Sequence, residues 1–205
     1  MWNRWSLMSG SVLWMLLASG LGSAIGAERV TSVELRVAQA DTETKGGVPK
    51  KDEKVKAEAH LSVDKLAPGQ ECKILIRLTV APGWHINANP AKPEGFPATE
   101  VSFKGKKGTL LKDVKFPPGK SIQMPDQDEP VSVYFGKVDV FGKLVVPAEA
   151  AGMTEEMEIV VTYQACDENR CLPPTTVKLG GKLPVAQSGE SVRSINEKLF
   201  KPSGT

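Results

Sequence analysis

The sequence predicts an all-β protein, a sandwich of antiparallel strands, and three observations carry that reading. Apolar residues recur at every second position in successive segments from Val55 onward. Short clusters of glycine, proline and small polar residues separate the segments. The chain's 19 Gly and 15 Pro suit many short strands joined by turns. No stretch between them carries a convincing helical period, so packed sheets are the architecture that buries the apolar faces.

The N-terminal residues are of another kind. Arg4 is the only charge before Glu28, "LMSGSVLWMLLASG" supplies an apolar centre, and small residues follow to "GSAIGA". Residues 1–27 are therefore expected to form a secretory signal peptide, cleaved near Ala24 or Ala27. The same uncharged run is long enough to stay as an uncleaved anchor. No cysteine follows it, which argues against a lipid anchor. Either outcome places the remainder in the periplasm or outside the cell, where disulfides persist. Residues 28–54, including "DTETKGGVPKKDEK", are polar and mixed in charge, the composition of a linker.

The sandwich is expected over residues 55–186. In "VKAEAHLSV" the inward positions are Val55, Ala57, Ala59, Leu61 and Val63, with Lys56, Glu58, His60 and Ser62 facing away. In "ECKILIRLTV", Cys72, Ile74, Ile76, Leu78 and Val80 share a face. Further strands are predicted in "WHINANP", "TEVSFKG", "TLLKDVKF", "VSVYFGKVDVFGKLVVP", "MEIVVTYQAC" and "TTVKLGGKLPV". Residues 187–205 form a polar tail with a short helix around "SVRSINEKLF". Lys and Arg number 26 against 24 Asp and Glu, and this balance gives no electrostatic footprint for nucleic acid.

Chemistry concentrates in "VTYQACDENRCLPPTTVKL". Cys72, in phase with Ile74 and Ile76, reads as a small buried hydrophobe. Cys166 and Cys171 flank "DENR", a polar turn-forming sequence. A hairpin there sets the two cysteines opposite each other, with Cα atoms about 4.5–5.5 Å apart, within reach of a disulfide. Such a bridge closes a very short loop and stabilises by roughly 2 kcal/mol, against nearly 5 for a hundred-residue loop. A chain of this size has an adequate core without it. On spacing alone, an exchanging dithiol and a structural staple stay equally open. Only His60 and His85 are available as histidine ligands, at no familiar spacing from the pair, so no metal or other cofactor is expected.

The same stretch resembles the active-site hairpin of the N-terminal domain of the thiol:disulfide interchange protein DsbD. "APGWHINANP" and "VYFGKVDVFGKLVVP" match in order, and the resemblance covers roughly residues 55–185. Its specific parts are the tyrosine, glutamine and cysteine of "YQAC" and the "CLPP" after the loop. The resemblance implies an immunoglobulin-like β-sandwich with a cysteine-bearing hairpin and a cap loop. It makes Cys166 and Cys171 the exchanging thiols, supplied with electrons by a membrane-embedded thiol carrier and delivering them to periplasmic thioredoxin-fold proteins. It also implies polar neighbours for the cysteines at His85 and Asn87, where an imidazolium would favour the thiolate. The implied cap loop lies in "MPDQDEPVSVYFGK", with the Tyr134 ring over the bridge and Phe135 buried.

Two departures stand out. The family's best-known members have a longer loop between the cysteines. They also continue into a multi-span membrane domain and a thioredoxin-like domain, so the donor here is expected to be a separate protein. The competing reading is a non-catalytic binding or scaffold module of the same fold with a structural hairpin disulfide.

Overall fold

The computed structural model describes residues 54–125 and 127–201. The expected signal peptide, and all of the linker but Lys54, lie outside the described residues. Among the described residues no helix is long and apolar enough to cross a membrane.

The described residues form eleven strands: β1 (Val55–Leu61), β2 (Glu71–Val80), β3 (His85–Asn87), β4 (Glu100–Gly105), β5 (Leu110–Lys115), β6 (Lys120–Ile122), β7 (Val131–Tyr134), β8 (Lys137–Val145), β9 (Thr154–Tyr163), β10 (Ala165–Cys166) and β11 (Thr175–Pro184). All ladders between them are antiparallel. One layer has the order β1-β2-β8-β5 and the facing layer β11-β9-β4. Their inner faces meet in a core of Val55, Ala57, Ile74, Ile76, Leu78, Val140, Leu144, Ile159, Val161 and Leu179. The period of two read from the sequence is the cause, because it gives each strand one apolar face to bury.

A third sheet, β10-β3-β7-β6, joins the two layers. β7 runs into β8 of the first layer through Phe135 and Gly136, and β9 of the second runs into β10 through Gln164. Gly136 has φ +60°, a conformation that favours glycine and lets the chain leave one sheet for another. The sequence predicts one long strand across Val131–Pro147 and another through Cys166; each is instead broken where it changes sheet.

Apart from β6 at its edge, the small sheet is buried on both sides. Ile86, Tyr134 and Ala165 face the common core. Val131, Val133, His85 and Cys166 are buried as well but lie outside that core cluster. Residues between β3 and β4, and between β6 and β7, cross this second face and turn it into a site.

The polar C-terminal residues return across the first layer. Ser194 bridges to Val63, the Ile195 N–H donates to the Ser62 carbonyl, and Arg193 donates from N and Nε to Asp64. The helix expected around residues 191–200 is a single 3-10 turn, Glu197–Leu199.

Candidate functional site

The hairpin that carries the cysteines is set by β9 and β11, which pair from Thr154↔Pro184 to Tyr163↔Thr175. Beyond that ladder β10 turns to β3, with Ala165 opposite Ile86 and Cys166 opposite His85. Asp167 shapes the turn at the tip. Its Oδ1 accepts the N–H groups of Asn169 and Arg170 at 2.8 and 2.9 Å, and its own N–H donates to the Arg170 carbonyl at 2.9 Å. The Asn169 N–H and then Arg170 hold the Asp167 carboxyl below its ordinary range against some desolvation. The closed turn brings Cys166 and Cys171 into direct opposition, Cα to Cα 4.0 Å, joined by a disulfide. This is closer than the separation the sequence reading gives.

The two sulfur-bearing residues are unequal. Cys166 is 2% exposed, while Cys171 is exposed. A reagent or partner approaching from solvent therefore meets Cys171 first.

Strand register decides which side chains share the cysteine face. Ile86 pairs with Tyr134 and with Ala165, and this row points into the core. The adjacent row holds Cys166, then His85, then Phe135, whose ring lies 5.6 Å from the imidazole. Neither Tyr134 nor Phe135 lines the cysteine cavity: Tyr134 is 4% exposed and belongs to the core, and Phe135, expected to be buried, is 42% exposed and stands beside His85. The Tyr134 hydroxyl donates to the Pro117 carbonyl at 2.8 Å and accepts the Asn89 N–H at 3.1 Å, fixing the root of the loop after β3. Its hydroxyl is pushed up by desolvation, against the bond from Asn89.

His85 is 6% exposed, not the solvated residue that simple alternation suggests. Burial holds it below its ordinary value, and the Asp167 charge offsets only part of that. Burial therefore disfavours the imidazolium expected beside the thiols. Asn87 is buried one ladder step along and lines the same cavity.

That cavity, about 230 Å³, is lined by both cysteines, His85, Asn87 and the hairpin turn, and is covered by two loops. Residues 123–130 contribute Met124, Pro125 and Gln127, so the expected cap segment does face the cysteines, through its proline and methionine end. Residues 88–99 contribute Phe96, which the sequence reading did not single out. A lone aromatic in the proline-bounded "NPAKPEGFPATE", directly after the strand holding His85 and Asn87, was the available signal. Among the described residues no group of three or more His, Cys, Asp or Glu is gathered as a metal site would need.

This geometry, an asymmetric disulfide at a hairpin tip under two loops, is met by a direct sequence match. The profile of the family described as "Thiol:disulfide interchange protein DsbD, N-terminal" matches residues 52–180. The chain belongs to that family. None of the curated proteins matches it at significance. Among solved structures, it is similar to the N-terminal periplasmic domain of ScsB from Proteus mirabilis, with a TM-score of 0.51 and 15% identity over 83% of this chain. The chain spans 57% of that protein's solved length. The DsbD N-terminal domain of Neisseria meningitidis, solved in the reduced form, aligns with a TM-score of 0.41 and 19% identity, over 67% of this chain and 94% of that one. The DsbD N-terminal fold is immunoglobulin-like, and the strands here take that all-β form.

Proposed function

We propose that this DsbD N-terminal domain works outside the cytoplasm and relays reducing equivalents through Cys166 and Cys171. A membrane-embedded thiol carrier is the donor, and thioredoxin-fold proteins are the acceptors. The observation that carries the reading is the asymmetry of the bridge, with Cys171 open to a partner and Cys166 enclosed behind it.

The chemistry follows from that asymmetry. A donor thiolate attacks the Cys171 sulfur; a new S–S bond forms to Cys171 and the Cys166–Cys171 bond breaks, leaving its electron pair on Cys166 as thiolate. The donor's second thiolate then attacks its own sulfur in the mixed disulfide, releasing Cys171 as thiolate and an oxidised donor. The reduced domain runs the sequence forward on an acceptor. Cys171 attacks the acceptor disulfide, and Cys166 resolves the mixed disulfide by attacking Cys171, which re-forms the bridge and leaves a reduced acceptor. His85, neutral and across the strand from Cys166, is placed to take the thiol proton as Cys166 becomes the resolving thiolate.

The test is capture. Cys166→Ala keeps the exposed nucleophile and removes the resolving one, so it should accumulate a mixed disulfide with a thioredoxin-fold protein in periplasmic extract; Cys171→Ala should accumulate far less. A bridge potential below about −300 mV together with no capture by either variant would return the pair to a structural role.

A further inference from the structure

Two side-chain amides beneath the cysteine cavity connect the hairpin to the loop that covers it. The Gln164 Nε2 donates to the carbonyl of Leu172, the residue after Cys171, at 3.2 Å. The Gln164 Oε1 accepts from Asn87 Nδ2 at 3.2 Å, and the same Nδ2 donates to the Pro97 carbonyl at 3.0 Å. Pro97 follows Phe96, whose side chain lines the cavity with both cysteines. The chain is directional: carbonyls at both ends can only accept, so each amide is forced to present its NH2 outward and its orientation is fixed.

The surroundings make the path specific. Asn87 is 1% exposed, and its own carbonyl accepts the Thr99 hydroxyl at 2.6 Å on the far side of the Phe96 loop. Asn89 Nδ2 donates to the Thr99 carbonyl at 2.9 Å, and the Tyr134 hydroxyl holds the Asn89 N–H from the core. The loop is therefore anchored firmly at its two roots. Between Phe96 and the Thr99 root, the side-chain hydrogen bond on the cysteine side is the one from Asn87 to the Pro97 carbonyl, and Asn87 is held in turn by Gln164.

We infer that Gln164 and Asn87 are positioning residues that tie the Phe96 loop to the backbone after Cys171 and so set how far the loop closes over the disulfide. Closure over the bridge and the position of Cys171 are then one linked quantity. A partner that pulls Cys171 outward draws on the Leu172 carbonyl, loosens Gln164, and releases the loop from the site it covers. Neither amide touches the reacting sulfurs in this role.

The inference builds on the exchange reading, but its test needs only the disulfide and a small reagent. It therefore stands or falls separately from any protein partner. The rate at which a small phosphine reduces the bridge reports closure directly. Gln164→Glu keeps the acceptor for Asn87 and removes the donor to Leu172. Losing one hydrogen bond shifts an equilibrium by about fivefold, and reduction should accelerate by about that factor over wild type. Protonating the new carboxyl restores a donor, so the ratio to wild type should return towards one as pH falls. Taking the ratio at each pH cancels the titration of His85 and Asp167 and the charges of Glu168 and Arg170, which surround the cavity in both proteins. In a Phe96→Ala background the same substitution should add nothing, because the tie then has no ring to hold. Equal rates for wild type and Gln164→Glu would overturn the inference. So would an acceleration that persists unchanged after Phe96→Ala.

Discussion

Cys72 points inward on β2, 7% exposed, and burial pushes its thiol up to about 12. It is the described free cysteine, and it carries no thiolate at physiological pH. Native oxidised protein should therefore resist alkylation at pH 8; denaturation should reveal one reactive thiol, and reduction three. A native protein that alkylates at once would contradict the burial. His85 provides a second test at this scale. Its folded pKa lies below the unfolded value of about 6.5, because burial disfavours the charged ring. Between those two values the unfolded chain binds a proton that the native state refuses. The contribution to stability is full above pH ~6.5 and is lost as pH falls through the folded pKa. Urea unfolding at pH 7 and pH 5 should then show a smaller acid-induced loss for His85→Gln than for wild type. Equal losses would place the acid sensitivity elsewhere.

The elements explain what the sequence could and could not disclose. Alternation identified β1, β2, β9 and β11 because each has one face in the core and one in water. It failed at β3 and β7, where every residue but Ser132 is buried, since loops cover the face that the core does not. With both faces buried, periodicity cannot tell Tyr134 from Phe135, and only the pairing of Ile86 with Tyr134 puts the Tyr134 ring in the core and leaves Phe135 beside His85. The Tyr134 hydroxyl gives the measurable difference. Tyr134→Phe leaves the Asn89 N–H and the Pro117 carbonyl without that partner and should cost about 1–3 kcal/mol in denaturant unfolding. Phe135→Ala, at an exposed ring, should cost less. A reversed order would return Phe135 to the core. Glu155 was legible but unread: it falls in phase with Met157, Ile159, Val161 and Tyr163, so its side chain had to enter the interior. There its carboxylate accepts the N–H of Lys107, the N–H of Thr109 and the Thr109 hydroxyl, closing the turn between β4 and β5.

At the scale of the molecule, the C-terminal residues close the sandwich where a polar tail was expected, and composition gave no sign of it. Their partners are mostly backbone and surface groups: the Asn196 side chain donates to the Leu61 carbonyl, Arg193 pairs with Asp64, and Lys65 pairs with Glu190. Such contacts need no apolar run, and Val192, Ile195, Leu199 and Phe200 are the scattered apolar groups among them. Phe200 stacks edge-on to Phe141 of β8, and Ser194, Ile195 and Phe200 border the same cleft as Cys72. The segment therefore borders the cleft that reaches Cys72. Deleting residues 189–205 keeps the Leu66 pairing with Val185 and removes that border. Stability should fall, and native alkylation of Cys72 should quicken by about an order of magnitude, the factor that follows from a loss of ~1.4 kcal/mol against local opening. The Cys166–Cys171 bridge, on the third sheet and served by other loops, should react with small reductants at the wild-type rate. If Cys72 stays as protected in the shortened protein as in the full one, its shielding comes from the strands alone and the C-terminal segment is not a closing element.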